Sequence, residues 1–343
     1  MWGRITKHAW AIASVAVLLF SVVALLWPQT EAPHRKQTPT EQTDIAMYSR
    51  IADRVSDGES YYSAVADEHR KGRYPLEPFY TVRPPTLAWV TAILGKPATM
   101  HLAQILLTLA ALGLAIRLRA NPIEAVAAFI LTMVGGFITF YHDQLYHELW
   151  AGIFIALAAA AHSRRMPEIS AALTLIAVCF REFAIFFPLV FGAFALFRMD
   201  RRGIKVWLLC GVLAGLFYAV HARQVEMVRQ AGDAISPGWL SAPGLAWVLG
   251  NVSGISLLRL LGQTGPFLAA GALSLWAFDS RFRETFAFLL TYIAFVALAA
   301  RGTNYYWSFM LLPLLFVSLA FLPRVILEAL RRNVGKLEGA RCR

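Results

Sequence analysis

Residues 43–89 read TDIAMYSRIADRVSDGESYYSAVADEHRKGRYPLEPFYTVRPPTLAW, a long water-compatible interruption in an otherwise apolar chain. Ile45, Tyr48, Ile51, Ala52 and Val55 recur at helical spacing. Thr43 fits the N-cap and Asp44 places a carboxylate in the first turn, where the helix dipole favours it. Ser56-Asp57-Gly58 breaks that helix. A second amphipathic helix, starting near Ser60 and carrying Tyr61, Tyr62, Val65 and Ala66, is expected to end at Gly72. An extended segment then leads to Arg83-Pro84-Pro85-Thr86, and either proline suits the first turn of a short helix over Leu87–Leu94. That helix is too short to span a bilayer and is expected at the interface.

The surroundings of this stretch are those of a membrane. The 343 residues are 58% hydrophobic and only 15% charged, with mean hydropathy +0.54, too apolar for a soluble domain of this size. The formal charge of +11 would suit nucleic acid in a soluble protein. In a polytopic protein the same excess collects in short cytoplasmic loops, and no nucleic-acid partner is needed. Cys179 and Cys210 lie in apolar runs and Cys342 at the tail, so no disulfide framework or CxxC metal site is available.

Upstream, Trp2 to Trp27 opens with Arg4 and Lys7 and continues apolar for about the length that crosses ~30 Å of hydrocarbon. Trp27-Pro28-Gln29-Thr30 follows instead of a small-residue cleavage site, which predicts a retained signal anchor (1–27) with a cytoplasmic N-terminus. Pro28 to Gln42 reads as an extended linker, so residues 28–98 form one large extracytoplasmic loop with amphipathic helices.

Downstream, apolar runs at 99–117, 123–140, 148–163, 168–181, 183–198, 206–222, 265–278, 284–300 and 308–328 predict a transmembrane bundle over 99–330. Alternate connections hold Arg117 and Arg119; Arg164 and Arg165; Arg198, Arg201, Arg202 and Lys205; Arg281 and Arg283; and, in the tail 331–343, Arg331, Arg332, Lys336, Arg341 and Arg343. The intervening set holds few basic residues, which puts both termini and the basic loops in the cytoplasm. Gly244 to Leu261 is interrupted by Asn251, Ser253, Ser256 and Arg259, and spanning would break the parity. It is read as an interfacial or re-entrant helix, leaving about ten spans including the anchor, in a single all-α polytopic membrane domain.

On this topology the costly polar residues gather at the outer ends of the spans. They are Tyr141, His142, Asp143, Tyr146, His147 and Glu148; Arg181 and Glu182; and Arg301, Asn304, Tyr305 and Tyr306. Ionisable groups at membrane depth commonly line a cavity or pathway. An outward-facing polar cavity roofed by residues 43–89 is therefore expected. Arg181-Glu182 also fits a structural ion pair, and Tyr305, Tyr306 and Trp307 fit an aromatic belt as well as a sugar platform. His142 and His147, five apart, do not form an HExxH zinc pair.

The first loop resembles that of the GT-C glycosyltransferases, polytopic enzymes that use polyprenyl-phosphate-linked sugars outside the cytoplasm. The resemblance rests on Asp44 in TDIAMY, a tyrosine and small-residue helix, GRYP at Gly72–Pro75 and RPPT at Arg83–Thr86, with Arg301, Tyr305 and Pro313 in the last outer segment. It implies Asp44 as catalytic base, Asp143 or Glu148 as a second acidic residue, and Arg181 as the cation that meets the donor phosphate. The chain departs from larger members in lacking a C-terminal soluble domain and a DxD pair after the first span. A divalent metal therefore has no motif to support it.

The chemistry asks for few groups. Inverting transfer needs a base for the acceptor hydroxyl and a stabiliser for the leaving phosphate. A carboxylate beside the membrane suits the first role, and Arg181, Arg301 or Arg83 the second. His142, His147, Glu182 and Tyr305 are expected to line the substrate space. The reading is a membrane glycosyltransferase of the plasma (inner) membrane. It would move a monosaccharide from a polyprenyl-phosphate donor to an extracytoplasmic glycan, lipid or protein acceptor. A transporter or flippase of a lipid-linked glycan is the rival.

Overall fold

Turn chemistry sets the first elements. The computed structural model describes residues 44–136, 146–163 and 165–328, and the expected anchor, linker and Thr43 cap and the expected tail 331–343 lie outside them. Helix α1 runs Asp44–Ser56 and α2 Tyr61–Gly72, separated at Gly58 with φ +92°. Arg83 to Pro85 is followed by α3, Thr86–Leu94, and Gly95, with φ +78°, turns the chain into α4, Lys96–Arg117. Leu87, Ala88 and Thr91 of α3 are buried while Ile93 is 81% exposed, so this short helix lies with one face on the protein.

The remaining helices are α5 Pro122–Gly135, α6 His147–Ser163, α7 Pro167–Phe180, α8 Phe186–Phe197, α9 Arg201–Val228, α10 Gly244–Gly254, α11 Gly265–Leu275 and α12 Arg283–Ala299. A last helical stretch, mixed α and 3₁₀, covers Tyr305–Glu328. Four of these, Lys96–Arg117, Arg201–Val228, Ser280–Ala299 and Tyr305–Glu328, are long and apolar enough to cross a membrane. Among the described residues there is no strand, only an isolated parallel bridge between Glu77 and Ile235. The protein is thus a helical membrane protein.

Helix ends differ most from expectation in α9. The apolar run is 206–222, but the helix extends from Arg201 to Val228. Asp200 caps it by accepting from Arg202 N at 3.2 Å, and the basic residues at its ends remain solvated. Residues 244–261 form α10 and a separate 3₁₀ segment, Leu257–Thr264. The 11 residues of α10 rise about 17 Å, short of the ~30 Å hydrocarbon thickness.

Two apolar cores result. The large one fills the bundle, where the last helical stretch passes close to its neighbours. A Cβ on Gly152 of α6 would lie 2.7 Å from Met310 O, so glycine permits that backbone approach. The smaller core lies within the first loop: Met47 and Ile51 of α1 and Tyr61, Ala64 and Val65 of α2 pack with Leu76, Val82 and Val225 of α9. Residues 229–243 strap the loop down. Arg70 Nε meets Asp233 Oδ1 at 2.8 Å, and Ser236 N donates to Glu77 O at 2.7 Å. Further along, Leu240 N and Ala242 N donate to Ala299 O and Leu298 O at the end of α12.

Candidate functional site

The Gly72-Arg73-Tyr74-Pro75 motif positions the first residue of the site. Arg73 adopts the left-handed conformation at the end of α2 (φ 54°, ψ 35°), and Tyr74 N donates back to His69 O at 2.8 Å. The Tyr74 ring folds over Gly72, where a Cβ would sit 2.6 Å from it. This turn delivers the Tyr74 hydroxyl to Asp44, donating to Oδ1 at 2.7 Å. Glycine at 72 is required because any side chain would displace that ring.

The second motif, Arg83-Pro84-Pro85-Thr86, holds an arginine beneath the same turn. Tyr61 donates to Arg83 O at 2.5 Å and Thr86 Oγ1 to Cys179 O at 2.7 Å, fixing the segment on both sides. Arg83 Nη2 lies 3.3 Å from Tyr306 Oη and 3.7 Å from Glu148 Oε1. Burial opposes the Arg83 charge, but Tyr48, Glu148 and Tyr306 outweigh it and raise its pKa well above the ordinary value. Tyr48 is likewise raised well above the usual phenol range, first by burial.

Asp44, His69, Tyr74, Arg83, Arg301 and Tyr305 line one cavity of about 560 Å³ between the first loop and the start of the last helical stretch. Arg301 N donates to Asn304 Oδ1 at 3.0 Å, and Asn304 Nδ2 donates to Tyr306 Oη at 3.2 Å, which ties the Arg301 turn to the residue that touches Arg83. Among the described residues no carboxylate lies within ion-pair distance of the Arg301 guanidinium. Arg73 lines the cavity as well.

Beneath this cavity lies a buried charge ladder. Arg181, 0% exposed, has Nε 2.7 Å from Glu148 Oε1, and its Nη1 bonds Glu182 Oε1. The Phe183 ring centroid is 4.0 Å from its Cζ and the Trp307 centroid 5.7 Å. An arginine enclosed in this way is stabilised by its two carboxylates and the flanking rings, and removal of either partner would leave a buried charge. Arg181, Glu148 and Glu182 are therefore not in the cavity lining. They connect to it through Arg83, which lines the same cavity as Asp44.

The other expected residues divide. Tyr305 lines the cavity, its hydroxyl 3.3 Å from that of Tyr146. His147, the first residue of α6, is buried with its ring edge-on to Tyr48 of α1, centroids 5.0 Å apart. His142 and Asp143 lie outside the described residues. Among the described residues, no three His, Cys, Asp or Glu side chains come together as a metal site.

Three cavity residues carried no assignment in the sequence. Tyr74 was legible only as part of GRYP, and its role depends on the left-handed turn. His69 sits in the charged run Asp67-Glu68-His69-Arg70-Lys71, which reads as a solvated face, yet it is 3% exposed. Trp239 comes from the strap and packs against Tyr80, Trp307 and Phe183 with centroid distances of 4.8, 5.3 and 5.6 Å. No periodic pattern marks that residue.

No family model matches this chain, and neither a curated protein nor a solved structure matches it.

Proposed function

We propose that this chain is a membrane glycosyltransferase of the GT-C kind, transferring a monosaccharide from a polyprenyl-phosphate donor to an extracytoplasmic acceptor with inversion. One observation carries the reading: Asp44 shares a cavity of about 560 Å³ with Arg83 and with Arg301, which has no carboxylate partner among the described residues. That volume lies within the roughly 300–1,000 Å³ common for small-molecule sites. In this reading the cavity opens on the extracytoplasmic face, the bundle has about ten spans including the anchor, and both termini are cytoplasmic.

The groups have separate roles. Tyr74 occupies Asp44 Oδ1, leaving Oδ2 to take the proton of the acceptor hydroxyl. As the acceptor oxygen, losing its proton to Oδ2, bonds to the anomeric carbon, the bond from the anomeric carbon to the phosphate oxygen breaks and the electron pair leaves with the phosphate. Arg301 and Arg83 stabilise that negative charge, because guanidinium forks match phosphate oxygens. Arg181 and Glu148 act through Arg83 by fixing its position.

Membranes containing the protein, supplied with polyprenyl-phosphate sugar and extracytoplasmic acceptor, test this directly. Asp44→Asn is expected to lower transfer by roughly 10²–10⁴-fold, the usual contribution of a general base, while the thermal midpoint stays near wild type. Full transfer by the folded variant removes Asp44 from the mechanism. Translocation of an intact lipid-linked glycan without transfer would identify a flippase instead.

A further inference from the structure

His69 is a buried acceptor that the proposed chemistry leaves unused. Its Nδ1 lies 2.9 Å from Pro75 O, and because a carbonyl only accepts, Nδ1 carries the proton. Nε2 is then the lone-pair nitrogen. It is buried and has no hydrogen-bond partner among the described residues. The residue is 3% exposed and lies in the wall of the cavity that holds Asp44 and Tyr74, with its ring centroid 5.8 Å from that of Tyr74. Burial, reinforced by Arg83, pushes the imidazole down to about 4, so it is neutral near pH 7.

A buried acceptor without a donor is unfavourable, and such groups in native proteins are nearly always satisfied. The cavity residues already considered do other work: the arginines suit an anion and Asp44 a transferable proton. A neutral imidazole nitrogen suits an uncharged O–H donor. We infer that His69 Nε2 accepts a hydrogen bond from a ring hydroxyl of the sugar bound in this cavity, making His69 a specificity-determining residue that separates a glycosylated lipid phosphate from the bare one. The inference rests on the glycosyltransferase reading for the lipid-phosphate part of the ligand. A site that hydrogen-bonds a ligand hydroxyl discriminates against ligands lacking it, because the site's own polar group is then stranded.

Two substitutions separate hydroxyl recognition from packing. In His69→Asn the amide N–H falls near the place of Nδ1 and keeps the bond to Pro75 O, but nothing replaces Nε2. In His69→Gln the amide oxygen reaches the place of Nε2 as an acceptor, and the Pro75 bond is lost. The full chain in lipid nanodiscs is titrated with undecaprenyl phosphate and with undecaprenyl-phosphate-linked glucose, mannose and galactose. Wild type is expected to favour at least one glycosylated lipid over the bare lipid by about tenfold, the worth of one buried hydrogen bond. His69→Gln should retain most of that preference and His69→Asn should lose it. A purely structural histidine gives the reverse order, with His69→Asn tolerated and His69→Gln damaged. That order, or a wild type binding bare and glycosylated lipids alike, overturns the inference while leaving the lipid-phosphate site in place. Binding of none of the lipids overturns both readings.

Discussion

Two of the molecule's arginine–carboxylate clusters lie at opposite ends of the same bundle, and one of them borders the cavity that holds Asp44. At the far end, Glu124 near the start of α5 meets Arg324 Nε at 3.2 Å and Arg281 Nη2 at 3.6 Å. Asp279 bonds Arg281 and lies 3.0 Å from Arg324 Nη2. Two carboxylates and two arginines pair with one another, and Asp279 additionally accepts from Arg281 N at 3.0 Å, capping its turn. At the cavity end, Glu148 and Glu182 enclose Arg181, but Arg83 is shared between Glu148 and the cavity and Arg301 stands without an acid among the described residues. The residue types are the same. The first cluster joins helices, whereas the second leaves cationic capacity facing an open space.

This difference predicts unequal responses to equivalent substitutions. Arg181→Met should be the more destructive, because Glu148 would remain buried beneath the cavity with only the distant Arg83. Loss of one partner of a fully buried pair costs about 3–5 kcal/mol. Arg324→Met should cost about 1 kcal/mol, since Arg281 still contacts both carboxylates and Arg324 is one-third exposed. Thermal unfolding of the two variants in the same detergent decides the matter, and equal losses would erase the distinction between the clusters.

A second contrast is in pH response. His69 is held down to about 4 against an ordinary 6.5, so the unfolded chain takes up its proton first as pH falls. Its contribution is complete above pH 6.5, declines as pH falls from 6.5 to about 4, and is flat below that. The integrated effect approaches about 3 kcal/mol. Stability measured across this window should fall more steeply in wild type than in His69→Asn, and parallel curves would show that His69 does not titrate in this way. A smaller effect than that of His69 is expected in ligand binding. Arg301→Ala should weaken binding of undecaprenyl phosphate by about 10–100-fold, matching one or two charge-assisted hydrogen bonds, whereas Arg324→Met should leave it unchanged.

Much of the helical layout was legible. Periodicity and turn residues located α1, α2 and α3 to within a residue or two, because Gly58, Gly72 and Pro85 act through local backbone geometry. The grouping of Arg181, Glu182, Glu148, Arg301 and Tyr305 at one end of the bundle was also legible from alternation of charge between loops. Their division was not. Arg181 reads like Arg301 in sequence, yet one is enclosed by two carboxylates and two rings and the other lines the cavity. His69 was hidden because four charged neighbours dominate its segment, while its helix turns that single position inward.

The amino-acid sequence by itself determined that this is a helical membrane protein, where most helices begin and end, and that Asp44 opens the first described helix. These follow from transfer free energy and local backbone preference, which act over a few residues. Tertiary structure alone decided that Tyr74 reaches Asp44, that Arg83 links the cavity to the buried Glu148–Arg181 pair, and that the 229–243 strap brings Trp239 to the wall. Each of these joins residues far apart in the chain, and such pairings depend on how two apolar cores pack against one another, which no local pattern encodes.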